Sequence, residues 1–205
     1  MVRFLSVLLF ASSFTAFGSE DLKLRNTYYY VELESDHAGA PKTESILTMK
    51  GKLIAKVSPR FKKLVDIEGT GKLMDGRIIN YAGQINKEVR YSVVRADYGL
   101  GVRRCKLVPF QSIAVDRKVI PLGSRVRIEE TIGMELPDGT IHDGYWWAHD
   151  IGGAIKKDRV DLFIGYKKNK QILKKQGIRS LQPLTISSVE APDEDSCAVR
   201  KSRRR

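Results

Sequence analysis

Soft metal ligands are scarce in this chain: 205 residues contain two cysteines and three histidines. Cys105 and Cys197 can form at most one bridge, and their separation in sequence says nothing about their distance in space. His37, His142 and His149 show no metal-ligand spacing, so no zinc framework, no other metal and no cofactor are expected. His142 and His149 are expected at the surface or at a groove edge. Long apolar runs are also missing. The one apolar stretch, Phe4 to Phe17, is too short and too interrupted by serine for a membrane span. With Arg3 ahead of it and Ala16-Phe17-Gly18 behind, residues 1–18 read as an export leader cut before Ser19. No cysteine follows the run directly, so a lipid anchor is not expected. Acids are in the minority, 24 against 36 Lys and Arg, which leaves a net charge of +12. Most of the excess is scattered, and no RNP, helix-turn-helix or zinc-finger signature accompanies it, so nucleic acid is not the expected partner. The excess concentrates twice, at Lys167 to Lys175 and at Arg200 to Arg205. The first reads as the solvated face of a short helix, the second as part of a disordered basic tail over residues 191–205. For an exported protein the nearby polyanions are the cell wall and the outer faces of membranes.

What is present points to a mainly β fold. Short runs rich in Val, Ile and Tyr alternate with turn-formers, as in Asn26–Glu34, Val89–Val94, Ser112–Val115, Arg125–Glu129, Tyr145–Ala148, Val160–Ile164 and Pro183–Val189. Ile46–Val57 reads as two strands about Gly51. Asp75-Gly76 and Pro137-Asp138-Gly139 are hairpin turns. Pro59–Val65 is a short basic helix or turn, Gly152-Gly153-Ala154-Ile155 opens a short helix, and Lys167–Gln176 is helical with Gly177 as its stop. A β-rich region over 19–98 leading into a small closed barrel over 99–190 fits this pattern.

Three acids fall at telling places: Asp116 at the end of one strand, Asp150 at the end of an aromatic strand, and Asp161 inside a third. Taken singly, each has a plain structural role: a turn cap for Asp116, a helix N-cap for Asp150 and a salt bridge to Arg159 for Asp161. Gly152 and Gly153, directly after Asp150, would let a ligand backbone approach closely. Together the stretches Ser112-Ile113-Ala114-Val115-Asp116, Val119-Ile120-Pro121-Leu122-Gly123-Ser124, Asp150-Ile151-Gly152-Gly153-Ala154-Ile155-Lys156 and Arg159-Val160-Asp161-Leu162-Phe163 resemble the three-aspartate (3D) domain. That family is similar to the catalytic domain of membrane-bound lytic transglycosylase A. The resemblance runs from about Gly99 to Gly165. It departs from the family pattern at Ile151, where many members carry Thr, at Lys157-Asp158, where Gly-Asn is common, and at Arg103-Arg104, usually a Gly-rich pair.

The resemblance implies a six-stranded double-psi β-barrel and cleavage of peptidoglycan glycan strands, with Asp150 as catalytic acid and Asp116 and Asp161 as its companions. A raised pKa at Asp150 is then expected, from Asp161 or Asp116 nearby and from burial against Trp146 and Trp147. Alternate residues of a strand face opposite ways, so one tryptophan belongs to the core; the other, assigned as Trp147, is available to stack on a sugar. Gly152, Gly153 and Lys156 are further expected substrate contacts. The expected activity is that of an exported, monomeric lytic transglycosylase in the periplasm, at the outer membrane or secreted, forming 1,6-anhydroMurNAc from a MurNAc-GlcNAc bond. A glycan hydrolase on the same carboxylates and a non-catalytic wall-binding module are the alternatives.

Overall fold

The computed structural model describes residues 21–199. The expected leader and the basic residues 200–205 lie outside that range. Among the described residues eleven strands carry the fold, with two short α-helices. Six strands form a ring: β1 (Leu22–Leu33), β7 (Ser112–Val115), β8 (Arg125–Ile128), β9 (Tyr145–Asp150), β10 (Arg159–Tyr166) and β11 (Pro183–Val189). Their order is β10-β7-β9-β8-β11-β1, and β1 pairs again with β10. The β1–β10 and β7–β9 pairings are parallel, the other four antiparallel. Alternate residues fill the interior, among them Leu24, Tyr30, Ile113, Val115, Val126, Trp146, Val160 and Leu162.

A smaller lobe stands on the far end of β1. Glu32 and Leu33 pair in parallel with β4 (Thr70–Lys72), which continues through β5 (Ile78–Ile85) to β6 (Glu88–Val94). The hairpin β2 (Glu44–Leu47) and β3 (Leu53–Val57) covers it together with α1 (Pro59–Glu68). Ile46, Val57, Phe61, Val65, Leu73, Ile79 and Tyr91 make its separate core. Ser58 caps α1 by accepting from the Phe61 amide, Pro59 sits in the first turn, and Gly69 closes it in the left-handed region. The helix runs three residues past the expected end, and that extra turn carries Asp66 and Glu68.

The mainly β class stands. β1 begins earlier than expected and belongs to both bodies, so the boundary expected at residue 98 divides strands that pair with one another. Gly152–Ile155 is a turn closed by the Ile155 amide on the Gly152 carbonyl, 3.2 Å, with no helix. Two adjacent glycines lose more backbone entropy on entering a helix than this short connection recovers. The C-terminal segment through Val199 is tied down, in contrast to the expected loose tail. Cys197 is bonded to Cys105, Ala198 is buried, and the Asp193 amide donates to Gly123.

Candidate active site

Pairing register brings the acids together. Thr27 lies opposite Asp161, Asp161 opposite Ala114, and Ala114 opposite Asp150, one row across four adjacent strands. All four belong to the outer face, since their neighbours Ile113, Val115, Val160 and Leu162 fill the ring. Asp150 reaches that face through an irregularity. Trp146 and Ala148 point inward, so strict alternation would send Asp150 inward as well. The β7–β9 register slips between Ile113/Ala148 and Ala114/Asp150, and the slip turns the carboxylate outward. Ala114 stands between the two acids, whose Cα atoms are two strand spacings apart, roughly 10 Å.

Asp161, Ala114 and Asp150 of this row form one wall of a cleft of about 650 Å³ between ring and lobe. Tyr29, Leu100, Gly101 and Gly152 to Ala154 complete the ring side; Asp66 to Thr70, Asn80, Tyr81 and Gln84 form the lobe side. In a chain with a net charge of +12, this lining holds Asp66, Glu68, Asp150 and Asp161 against Lys156 alone. Asp66 is neutralised locally by Lys62 at 2.7 Å. The other three carboxyls are pushed up. Burial raises Asp150 to about 7, and Asp161 adds to the rise, while donors from the Ile151 amide (2.9 Å) and the Tyr29 hydroxyl (3.2 Å) oppose it. Burial raises Asp161 to about 6 against the effects of Thr27 and Arg159, and its Oδ1 is buried with no hydrogen-bond partner. Burial likewise brings Glu68 to about 7, although the Tyr30 amide donates to it at 3.0 Å.

Of the expected residues, Asp150, Asp161, Gly152, Gly153 and Lys156 line the cleft, while Asp116 and Trp147 do not. Asp116 accepts from the Lys118 and Lys157 amides (3.0 and 2.9 Å), and these bonds hold its carboxyl low. It staples the turn before β10, as its plain capping role would have it. Trp147 stacks on His149 at 6.0 Å, with Arg125 near its ring. Trp146 is the core residue of the pair and donates to Thr131. Neither indole lines the cleft, whereas Tyr29 and Gly101 lie against Asp150. His142 is buried, stacks on Trp146 and bonds to the Phe110 carbonyl, so it is no surface residue. His149 is half-buried beside Ser112 and the Cys105–Cys197 bridge.

Glu68, Gly101 and Asn80 escape sequence reasoning. A Cβ on Gly101 would stand 2.4 Å from the His149 carbonyl and 3.1 Å from the Asp150 side chain. Asn80 clamps the same loop from the lobe: its side-chain oxygen accepts from the Leu100 amide (2.7 Å) and its nitrogen donates to the Leu100 carbonyl (3.0 Å). The pair of glycines about Leu100 was the one available signal, and it needed the opposing strand to be read.

With this geometry in place, residues 111–177 match the 3D domain family, a span that contains all three aspartates. The chain carries a 3D domain. Among solved structures, E. coli MltA with bound chitohexaose has a TM-score of 0.57 at 16% identity, over 83% of this chain and 72% of that one. The membrane-bound lytic murein transglycosylase from Agrobacterium tumefaciens gives 0.49 at 17% identity, over 79% and 57%. MltA from Neisseria gonorrhoeae gives 0.48 at 16%, over 71% and 46%. At 16% identity the likeness to the E. coli protein is one of fold. No curated protein sequence matches. Among the described residues no helix is long and apolar enough to cross a membrane.

Proposed function

We propose that the protein is a peptidoglycan lytic transglycosylase in which Asp150 acts first as acid and then as base. One observation carries the reading: a buried carboxyl raised to about 7 sits on the wall of a cleft of about 650 Å³. Near neutral pH a large share of Asp150 is protonated, and its proton goes to the glycosidic oxygen as the bond to C1 of MurNAc breaks. Asp161, about one unit lower, is mostly ionised and stabilises the developing oxocarbenium charge. The C6 hydroxyl of the same sugar then bonds to C1, its proton passes to the Asp150 carboxylate, and a 1,6-anhydro ring results. Lys156, Gly152 and Gly153 border the path of the strand. The chitohexaose bound in the E. coli structure of like fold supports a glycan as the ligand. The two parallel pairings within an otherwise antiparallel ring support the double-psi form of the barrel. Export to the wall, where this substrate is found, and action as a monomer complete the proposal.

Digestion of purified peptidoglycan by the processed protein, followed by mass spectrometry, tests it. Wild type is expected to release anhydro-muropeptides, and Asp150→Asn to release none. Reducing-end products would instead establish a hydrolase. The second carboxylate in the same cleft, Asp161, favours that as second reading, because a hydrolase needs a carboxylate besides the acid to activate a water. Sedimentation with sacculi without any product would make it a binding module.

A further inference from the structure

A second cavity, of about 470 Å³, lies beside α2 (Lys170–Lys175) and takes no part in the chemistry above. Its charged lining is Lys170, Lys174 and Arg179, and no carboxylate is among the described residues that form it. Tyr28 forms part of its floor, whereas the next residue, Tyr29, lines the glycan cleft. Successive side chains of a strand face opposite ways, so the glycan cleft lies on the outer face of β1 and this cavity borders the face turned to the ring core.

The cations extend beyond the cavity. Lys167 and Lys168 are exposed in the preceding turn, and among the described residues neither they nor Lys170, Lys174 and Arg179 form an ion pair. Lys175 alone in this segment is neutralised, by Glu135 at 2.8 Å. An unpaired set of this kind repels itself, a cost that an anionic partner removes. Next to it Leu181 is 52% exposed on a backbone in the left-handed region, and its amide is tied to the Asn26 carbonyl. A branched apolar side chain held outward on a strained, anchored turn beside five cations without an ion-pair partner, one of them (Lys167) over the Tyr30 ring, matches the two requirements of a membrane surface. Cations attract anionic headgroups, and one apolar side chain enters the headgroup layer.

We propose that the α2 face docks on anionic phospholipid, with a headgroup phosphate held among Lys170, Lys174 and Arg179 and with Leu181 inserted beside it. The proposal is independent of the chemistry at Asp150.

The test is co-sedimentation of the processed chain, from Ser19 onward, with vesicles of phosphatidylcholine alone or mixed with phosphatidylglycerol. Binding is expected only to the mixed vesicles and is expected to weaken with salt. Each surface cation contributes about 1 kcal/mol, roughly a fivefold factor in affinity, so Lys170→Gln/Lys174→Gln/Arg179→Gln should lose on the order of a hundredfold. Lys170→Arg/Lys174→Arg should retain binding, and Leu181→Ser should weaken it while preserving the preference for anionic lipid. The circular dichroism spectrum and Tm should be unchanged in every variant, which reports folding. Equal binding to both vesicles, or a triple variant that binds like wild type through another basic segment, overturns the proposal. So does binding to a soluble polyphosphate with none to the mixed vesicles.

Discussion

Asp150 carries opposing influences on one carboxyl: burial and a neighbouring acid push it up, while a tyrosine hydroxyl and a backbone amide pull it down. The first set wins, and the direction of the pH dependence follows. The acid step needs Asp150 protonated and is lost as pH rises through about 7; stabilisation by Asp161 needs it ionised and is lost as pH falls through about 6. A bell-shaped kcat/KM profile with its maximum between these values is therefore expected, and its alkaline limb should move upward in Tyr29→Phe, which removes a donor to the carboxylate. A flat profile across this range would contradict the assignment of the two carboxyls. Gly101 is the other decisive residue. Alanine there meets the His149 carbonyl, which is backbone and cannot swing aside, so the loop must shift away from Asp150. Gly101→Ala should lower kcat by tenfold or more with about 1–3 kcal/mol lost from stability, read by kinetics and urea unfolding.

Among the elements, β9 and the loop before β7 fix the site. The slip in β9 places the acid, and the loop from Gly99 to Leu107 closes over it. That loop is held by the Gly101 amide on the Cys105 carbonyl, 2.8 Å, and by the bond from Cys105 to Cys197, 92 residues away. Such a closure restricts the unfolded chain over a long span and is worth about 2–4 kcal/mol. Cys105→Ser/Cys197→Ser is expected to lower Tm by several degrees in calorimetry. Because the cross-link anchors a cleft wall, kcat should fall as well at temperatures where the variant is folded. Unchanged turnover would confine the bridge to stability.

At the scale of the molecule, function rests on two bodies that share β1. Neither the ring nor the lobe encloses the cleft alone, and Asn80 links the lobe to the loop over Asp150. Asn80→Ala leaves both Leu100 backbone groups without their partner, a loss of about 1–3 kcal/mol. Because it loosens the cleft rather than the acid, KM should rise by more than kcat falls. The reverse split would place Asn80 closer to the reacting atoms than the cleft geometry does.

Local signals determined a good part of this protein. Alternation and turn residues located most strands, and the residues about Asp116, Asp150 and Asp161 were specific enough to name a domain family, because strand pattern and motif are written in neighbouring positions. Only tertiary structure separated the three acids, for an aspartate's role depends on what lies across from it. Asp161 faces Ala114 and the cleft, whereas Asp116 faces two backbone amides that hold it ionised as a staple. The same holds for Trp147, Glu68, Gly101 and Asn80. Trp147 was assigned on strand alternation and the other three were passed over, and each was decided by register, burial and contacts between residues distant in the chain. Energies of burial and pairing arise between surfaces brought together by folding, so no run of neighbouring residues contains them.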